Sequence, residues 1–171
     1  MKSICVALSL FLSLLATTPL SGSDIVVSKP DAAKSFETLK TLVGSWESDN
    51  PKHPMSVNFR VTSNGSAILS EMLDGHDNMI TMFHLDDGRL MLTHYCAAGN
   101  QPRMVGKVSP DGKTLEFDFI DGTNFNSTKD GHMDGLVITM IDDTHHSEDL
   151  IFKSNDEKRG MRAHFNMRRT Q

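Results

Sequence analysis

The sequence predicts an all-β fold: an antiparallel meander of about ten strands closed into a barrel, with one short helix in front. Three observations carry this. From Ser45 onward, apolar and polar residues alternate with period two. Turn signals recur at short, even intervals, among them Asn64-Gly65, Asp74-Gly75, Asp87-Gly88, Gly99-Asn100, Asp111-Gly112, Asp121-Gly122 and Asp130-Gly131. No helical pattern separates the strands, which excludes parallel βαβ units. Closure into a barrel removes the exposed edges that so many short strands would otherwise present. A two-sheet sandwich is the alternative architecture.

Residues 1–22 stand apart from the fold. Met1-Lys2 is a short positive start, Ile4 to Leu15 is apolar, and Thr17-Thr18-Pro19 breaks the run before Ser21-Gly22-Ser23. That is the pattern of a secretory signal peptide. The run falls short of the roughly 20 apolar residues of a spanning helix. The expectation is an exported protein, periplasmic or secreted, with residues 23–171 as one domain and no stable membrane insertion after cleavage. Losing Lys2 takes the net charge from −5 to −6. A mildly acidic domain argues against nucleic acid as a partner. Cys5 lies in the leader, so Cys96 stands alone and no intrachain disulfide is available. Stability must come from a core.

Pro30 to Val43 carries one helical stripe, Phe36, Leu39, Leu42 and Val43, with Lys34, Glu37 and Lys40 opposite. Pro30 suits a first turn and Gly44 a stop, which places a short amphipathic helix over residues 31–42. Gly44-Ser45-Trp46 then opens the first strand. A helix-like lead followed by Gly-x-Trp resembles the opening of lipocalins and the wider calycin group. The resemblance implies a calycin-like barrel whose narrow end is closed by Trp46, with Gly44 and Trp46 as structural residues. It further implies a basic residue on the Trp ring, Arg168 or Arg169, as a cation–π contact. The chain also resembles a group of exported bacterial proteins without assigned function.

Met55 to Val61 and Met161 to Met167 alternate cleanly and read as strands. Asn64-Gly65 reads as a two-residue hairpin turn. For Met79–Leu85 and Arg89–Cys96, a three-residue turn at Asp86-Asp87-Gly88 is expected, pairing Leu85 with Arg89 and Ile80 with His94. That register puts Ile80, Met82, His84, Leu90, Leu92, His94 and Cys96 on one face. A two-residue turn would move His84 to the other face. Residues 121–135 read as a long mouth loop or lid, and Asp156–Arg159 as a solvated hairpin tip.

The segment Leu92–Met104 gathers the only Tyr, Cys96, His94, Asn100, Gln101 and Arg103. His94 and Cys96 are expected to face into the barrel, with Cys96 packed as a buried thiol. Gly99 permits a turn and Pro102 stiffens its exit. Asn100, Gln101 and Arg103 then form a polar clamp at the pocket rim. Glu71 shares a face with Leu69 and Leu73, and is read as inward with a basic partner. Eight His are present, yet no His-x-x-x-His or Cys-x-x-Cys pair supplements His94-x-Cys96 as metal ligands. No metal is assigned. A haem on one inward His is a weaker reading, and no cofactor is expected. Eleven Met suit a pocket that adapts to an apolar guest.

The function these residues suggest is binding of a small, mostly apolar molecule in the barrel. The ligand-binding set is Glu71, His84, His94, Asn100, Gln101 and Arg103. The alternative is a small barrel enzyme of isomerase, cyclase or hydrolase type, with His94 as base and Arg103 or Tyr95 as electrophilic helper.

Overall fold

A computed structural model of the chain describes residues 29–125, 131–154 and 160–170. The signal-peptide segment, residues 126–130 of the expected mouth loop and the Asp156–Arg159 tip lie outside the described residues. Among the described residues the elements are α1 (Lys29–Lys40), β1 (Gly44–Ser48), β2 (Met55–Thr62), β3 (Ala67–Asp74), β4 (Asp77–Asp86) and β5 (Arg89–Tyr95), followed by β6 (Gln101–Val108), β7 (Thr114–Thr123), β8 (His132–Asp142), β9 (His145–Lys153) and β10 (Met161–Arg169). The ten strands form a closed antiparallel barrel in which sequence neighbours pair and β1 meets β10 to complete the ring.

Period-two patterning builds this wall. In β2, Met55, Val57 and Phe59 are buried, and the alternate positions Ser56, Asn58 and Arg60 are more open. A hairpin forms at Asn64-Gly65, but its connection has four residues, 63–66, between the closing pair Thr62↔Ala67 instead of the expected two. Asn64 and Gly65 both adopt positive φ, and the Ser66 amide donates to Ser63 O at 3.1 Å. The inner face of the wall carries Ile68, Phe83, Leu92, Met104, Leu115, Phe117 and Ile138 among others, all essentially inaccessible to solvent.

Helix α1 packs against β4, β5 and β6 at one end of the barrel. It buries Ala32, Phe36 and Leu39, while Val43 of the expected stripe is exposed. This is the closed end. Among the described residues, the opposite end carries the 49–54, 75–76 and 96–100 connections.

Two further expectations are corrected. The β4–β5 turn has two residues, Asp87 and Gly88, with φ of 46° and 76°, and the ladder closes at Asp86↔Arg89. The pairing is therefore Thr81↔His94 and Met82↔Thr93. Asp-Gly tolerates the two left-handed conformations of a tight hairpin turn, and that preference decides the register. The β5 inward set stands, but β4 turns Met79, Thr81 and Phe83 inward and Ile80, Met82 and His84 outward. Second, seven of the ten described residues in 121–135 are strand. β7 continues to Thr123, pairing Pro102 with Gly122 and Gln101 with Thr123, and β8 resumes at His132.

Candidate functional site

Cross-strand register sets a polar row on the lumen wall. Phe59 faces Ser70, Ser70 faces Thr81, and Thr81 faces His94, on four consecutive strands. Ser70, Thr81 and His94 are all buried. The Thr81 Oγ1 to His94 Nδ1 distance is 2.9 Å. Burial pushes the His94 imidazole down to about 4, so the ring is neutral at ordinary pH. In the tautomer where the Thr81 hydroxyl donates to Nδ1, the ring proton sits on Nε2. Nε2 has no partner in the protein.

The 96–100 turn supplies the next group. The Cys96 amide donates to Asn100 O and the Gly99 amide to Cys96 O, at 3.0 and 2.9 Å. Gly99 sits at φ 84°, a conformation open to it for want of a Cβ. This turn folds Asn100 inward, and only 1% of the residue is exposed. Its Nδ2 donates to Gly131 O at 3.0 Å, strapping the turn to the start of β8 across the mouth. Asn100 Oδ1 is left without a partner.

His132 follows directly on Gly131. Its ring is buried between Phe119 and Phe125, with centroids at 4.7 and 5.1 Å. Its Nε2 lies 3.4 Å from Asp134 Oδ1, while Nδ1 is unpartnered. The open end thus holds one free donor, His94 Nε2, and two atoms able to accept, Asn100 Oδ1 and His132 Nδ1. Nearby, the Cys96 thiol is buried, and burial raises its ionisation above the ordinary value. That is the chemistry of a packed thiol rather than a nucleophile.

Of the residues expected at the site, the structure brings His94 and Asn100 together on the inner side. Gln101 serves its own loop. It donates to Gly99 O and accepts from Thr123 and Asn124. Glu71, His84 and Arg103 are corrected to the outer face. Glu71 lies 3.8 Å from Arg60, both half-exposed. Ile68, Ser70 and Met72 take the inward positions of β3, so the intervening Glu71 faces out. Arg103 grips the Asp121 carboxylate at 2.6 and 2.5 Å on the outside. His94 and Arg103 lie on opposite faces of the sheet, so the acid–base partnership of the enzyme alternative has no geometric basis. Among the described residues, no group of three His, Cys, Asp or Glu side chains is arranged to hold a metal ion.

Sequence reading missed Ser70, Thr81 and Glu148, and weighed His132 and His146 only as metal ligands. Ser70 and Thr81 were signalled as single polar residues inside the alternations Ile68-x-Ser70-x-Met72 and Met79-x-Thr81-x-Phe83. The turn length had to be right for them to register.

The closed end is built differently. Trp46 is buried, its Nε1 donates to Leu42 O at 2.7 Å, and the Arg169 guanidinium lies 4.1 Å over its ring. Arg169 donates to Val43 O, Thr41 O and Asp143 O at 2.7, 2.7 and 2.9 Å. Of the two basic residues expected at this Trp, Arg169 is therefore the one that stacks. Below Trp46 lie two buried polar residues on β9. His146 Nε2 and Glu148 Oε1 are 3.0 Å apart, and His146 meets Trp46 edge-on at 4.3 Å. His145 beside it is exposed and bonded to Asp142, as adjacent strand positions require. A cleft of about 530 Å³ opens outside this end, among Thr38, Lys113, Ile141 and Arg169. Its Arg169 is already committed to the backbone.

No protein-family model matches the chain, and no curated protein sequence does. Among solved structures it is similar to Rv2717c from M. tuberculosis, with a TM-score of 0.54 and 15% identity, over 80% of this chain and 98% of that one. The shared property is the fold. The site residues above are therefore argued from this chain alone.

Proposed function

We propose that the protein is an exported, lipocalin-like binding protein whose barrel holds a small, mostly apolar ligand entered from the end away from α1. One observation carries the reading: His94 Nε2, Asn100 Oδ1 and His132 Nδ1 are buried without protein partners in one half of one barrel. An unsatisfied buried polar group costs about 1–3 kcal/mol, and a ligand supplying the missing partners removes that cost. Barrel mouths lined by apolar side chains with a few placed polar groups are ordinary ligand sites. The surrounding Met72, Met79, Met133 and Phe125 suit an adaptable apolar guest.

The polar part of the ligand at this end is neutral. His94 is uncharged, and among the described residues no Lys or Arg is buried. The complement of one donor and two acceptors is a group that both accepts and donates, such as a hydroxyl or a primary amide. Gly44, Trp46 and the stacked Arg169 support the lipocalin-like part of the reading, and the Met1–Gly22 pattern supports export.

The test is native mass spectrometry of protein purified from its export compartment, together with titration by the neutral probe N-phenyl-1-naphthylamine. The expected result is a retained organic mass, or saturable probe uptake, weakened at least tenfold in the Thr81→Val/His94→Leu double variant. Absence of both, or uptake indifferent to that variant, sinks the reading.

A further inference from the structure

The His146–Glu148 pair is not used by the site at the open end. Its register places it inside. His146 pairs with Met140 and Met167, and Glu148 with Ile138 and Phe165. Exposure is 0% for His146 and 2% for Glu148, with Trp46 and Phe59 rings 4.3 and 6.1 Å from the imidazole. A carboxylate in such surroundings needs compensation by charge or hydrogen bonds. Its protein partner here is the His146 Nε2, and no buried Lys or Arg among the described residues supplies a charge. An ionised carboxylate only accepts, so Nε2–H donates to Glu148. The other ring nitrogen, Nδ1, has no partner. In the state with the imidazole neutral and the carboxylate ionised, the pair presents acceptors and a negative charge. What complements two acceptors and a charge is a group with several donors and a positive charge.

We propose that the His146–Glu148 pair is a second recognition site in the lumen, taking the primary ammonium end of an amphiphilic amine. The inference rests on the lumen-binding reading above and extends it to the far end of the ligand. Glu148 takes the charge and His146 Nδ1 accepts a second N–H, beside the Trp46 and Phe59 rings that contact the imidazole. Depth sets the ligand's length. Glu148 lies five residues inside the open end of β9 at Lys153. At roughly 3.3 Å per residue and a strand tilt of roughly 40°, that is about 13 Å below the rim. A short alkyl chain spans this distance and occupies the apolar lumen on the way.

The experiment compares n-octylamine with n-octanol at pH 7.5, where the amine is charged. The chain has one Trp, and it touches His146, so Trp46 fluorescence reads occupancy directly. The wild-type protein is expected to bind octylamine at least tenfold more tightly than octanol. Glu148→Gln is expected to remove the preference, so that octylamine and octanol bind with equal affinity. His146→Gln, which keeps a side-chain amide near Glu148, weakens the preference only in part. Thermal melts establish that both variants are folded, and if Glu148→Gln does not fold, His146→Gln carries the test. Equal affinity for amine and alcohol overturns the proposal while leaving the lumen-binding reading intact. A preference that survives both substitutions overturns it too, because the amine then sits elsewhere. If neither compound displaces N-phenyl-1-naphthylamine bound in the lumen, this site fails while that reading stands. If the probe itself does not bind, the earlier reading has failed first.

Discussion

The two ends of this barrel solve opposite problems. At the closed end, nearly every polar group is engaged: Trp46 Nε1, the Arg169 guanidinium and the carbonyls that follow α1 bond to one another. His146 Nδ1 is the exception. At the open end, three buried polar atoms wait without partners. The first arrangement is what a stable plug needs, and the second is what a binding site needs before its ligand arrives. The difference teaches that satisfaction of buried groups, more than the identity of the residues, separates scaffold from site here.

The sharpest way to break that contrast is to remove a residue from each end. Trp46→Ala is expected to destabilise the fold by about 4 kcal/mol, as loss of a large buried aromatic does. Asn100→Ala is expected to have a much smaller effect, measured by urea denaturation, because Asn100 leaves one of its own acceptors unmet. Equal losses would erase the distinction. The next effect is pH. His94 is held at about 4 in the fold against its unfolded value of 6.5. A depressed folded value means that the unfolded chain takes up the proton first. The neutral ring is therefore harmless above 6.5, and stability falls as pH drops from 6.5 to 4. The loss is about 3 kcal/mol over that window. His94→Leu in a Thr81→Val background should flatten that slope, and an unchanged slope would place the effect on another group.

Arg169→Ala should cost about 2 kcal/mol in thermal unfolding, through its hydrogen bonds and its stacking. The Thr81→Val/His94→Leu protein should match the wild type within about 1 kcal/mol or exceed it, because both partners of a buried hydrogen bond are replaced together. A site variant that keeps stability while losing ligand separates function from scaffold; joint loss would merge them. The smallest effect lies on the outer wall. The hydrogen bond that the half-exposed His164 donates to Asp149 raises its imidazole above the ordinary value, so that contact favours the fold below 6.5 and fades as pH rises above it. Solvent screens it to a few tenths of a kcal/mol. Asp149→Asn should return the His164 titration, followed by NMR, toward its ordinary position with little change in melting temperature.

The fold was largely legible because turn chemistry is local. Asn64-Gly65 and Asp87-Gly88 mark hairpins whatever surrounds them, and β5 announces its inner face through Leu90 and Leu92. β4 does not. Met79, Ile80, Met82, Phe83 and Leu85 are apolar at both parities, so only the turn length fixes the face, and a one-residue slip exchanges Thr81 for His84. β3 is ambiguous for the same reason: Ile68 and Met72 go in, while Leu69 and Leu73 are as apolar and go out. His94 and Asn100 could be found from one segment. Glu148 and His146 could not. A run of His-His-Ser-Glu-Asp reads as surface until another strand shows which of its members look at each other.

The ring closes at a single place far apart in sequence. Every other ladder joins neighbours along the chain, but β1 meets β10 through only three registered pairs, Trp46↔Arg169, Glu47↔Arg168 and Ser48↔Met167. Bringing those ends together closes a loop of roughly 120 residues, at an entropic cost of about 4 kcal/mol. The hairpins can form early and independently, as local contacts do. The stacking of Arg169 on Trp46 then acts as the clasp fastened last, and a chain with that clasp undone is an open, twisted ribbon whose two free edges are ready to pair with another copy of itself.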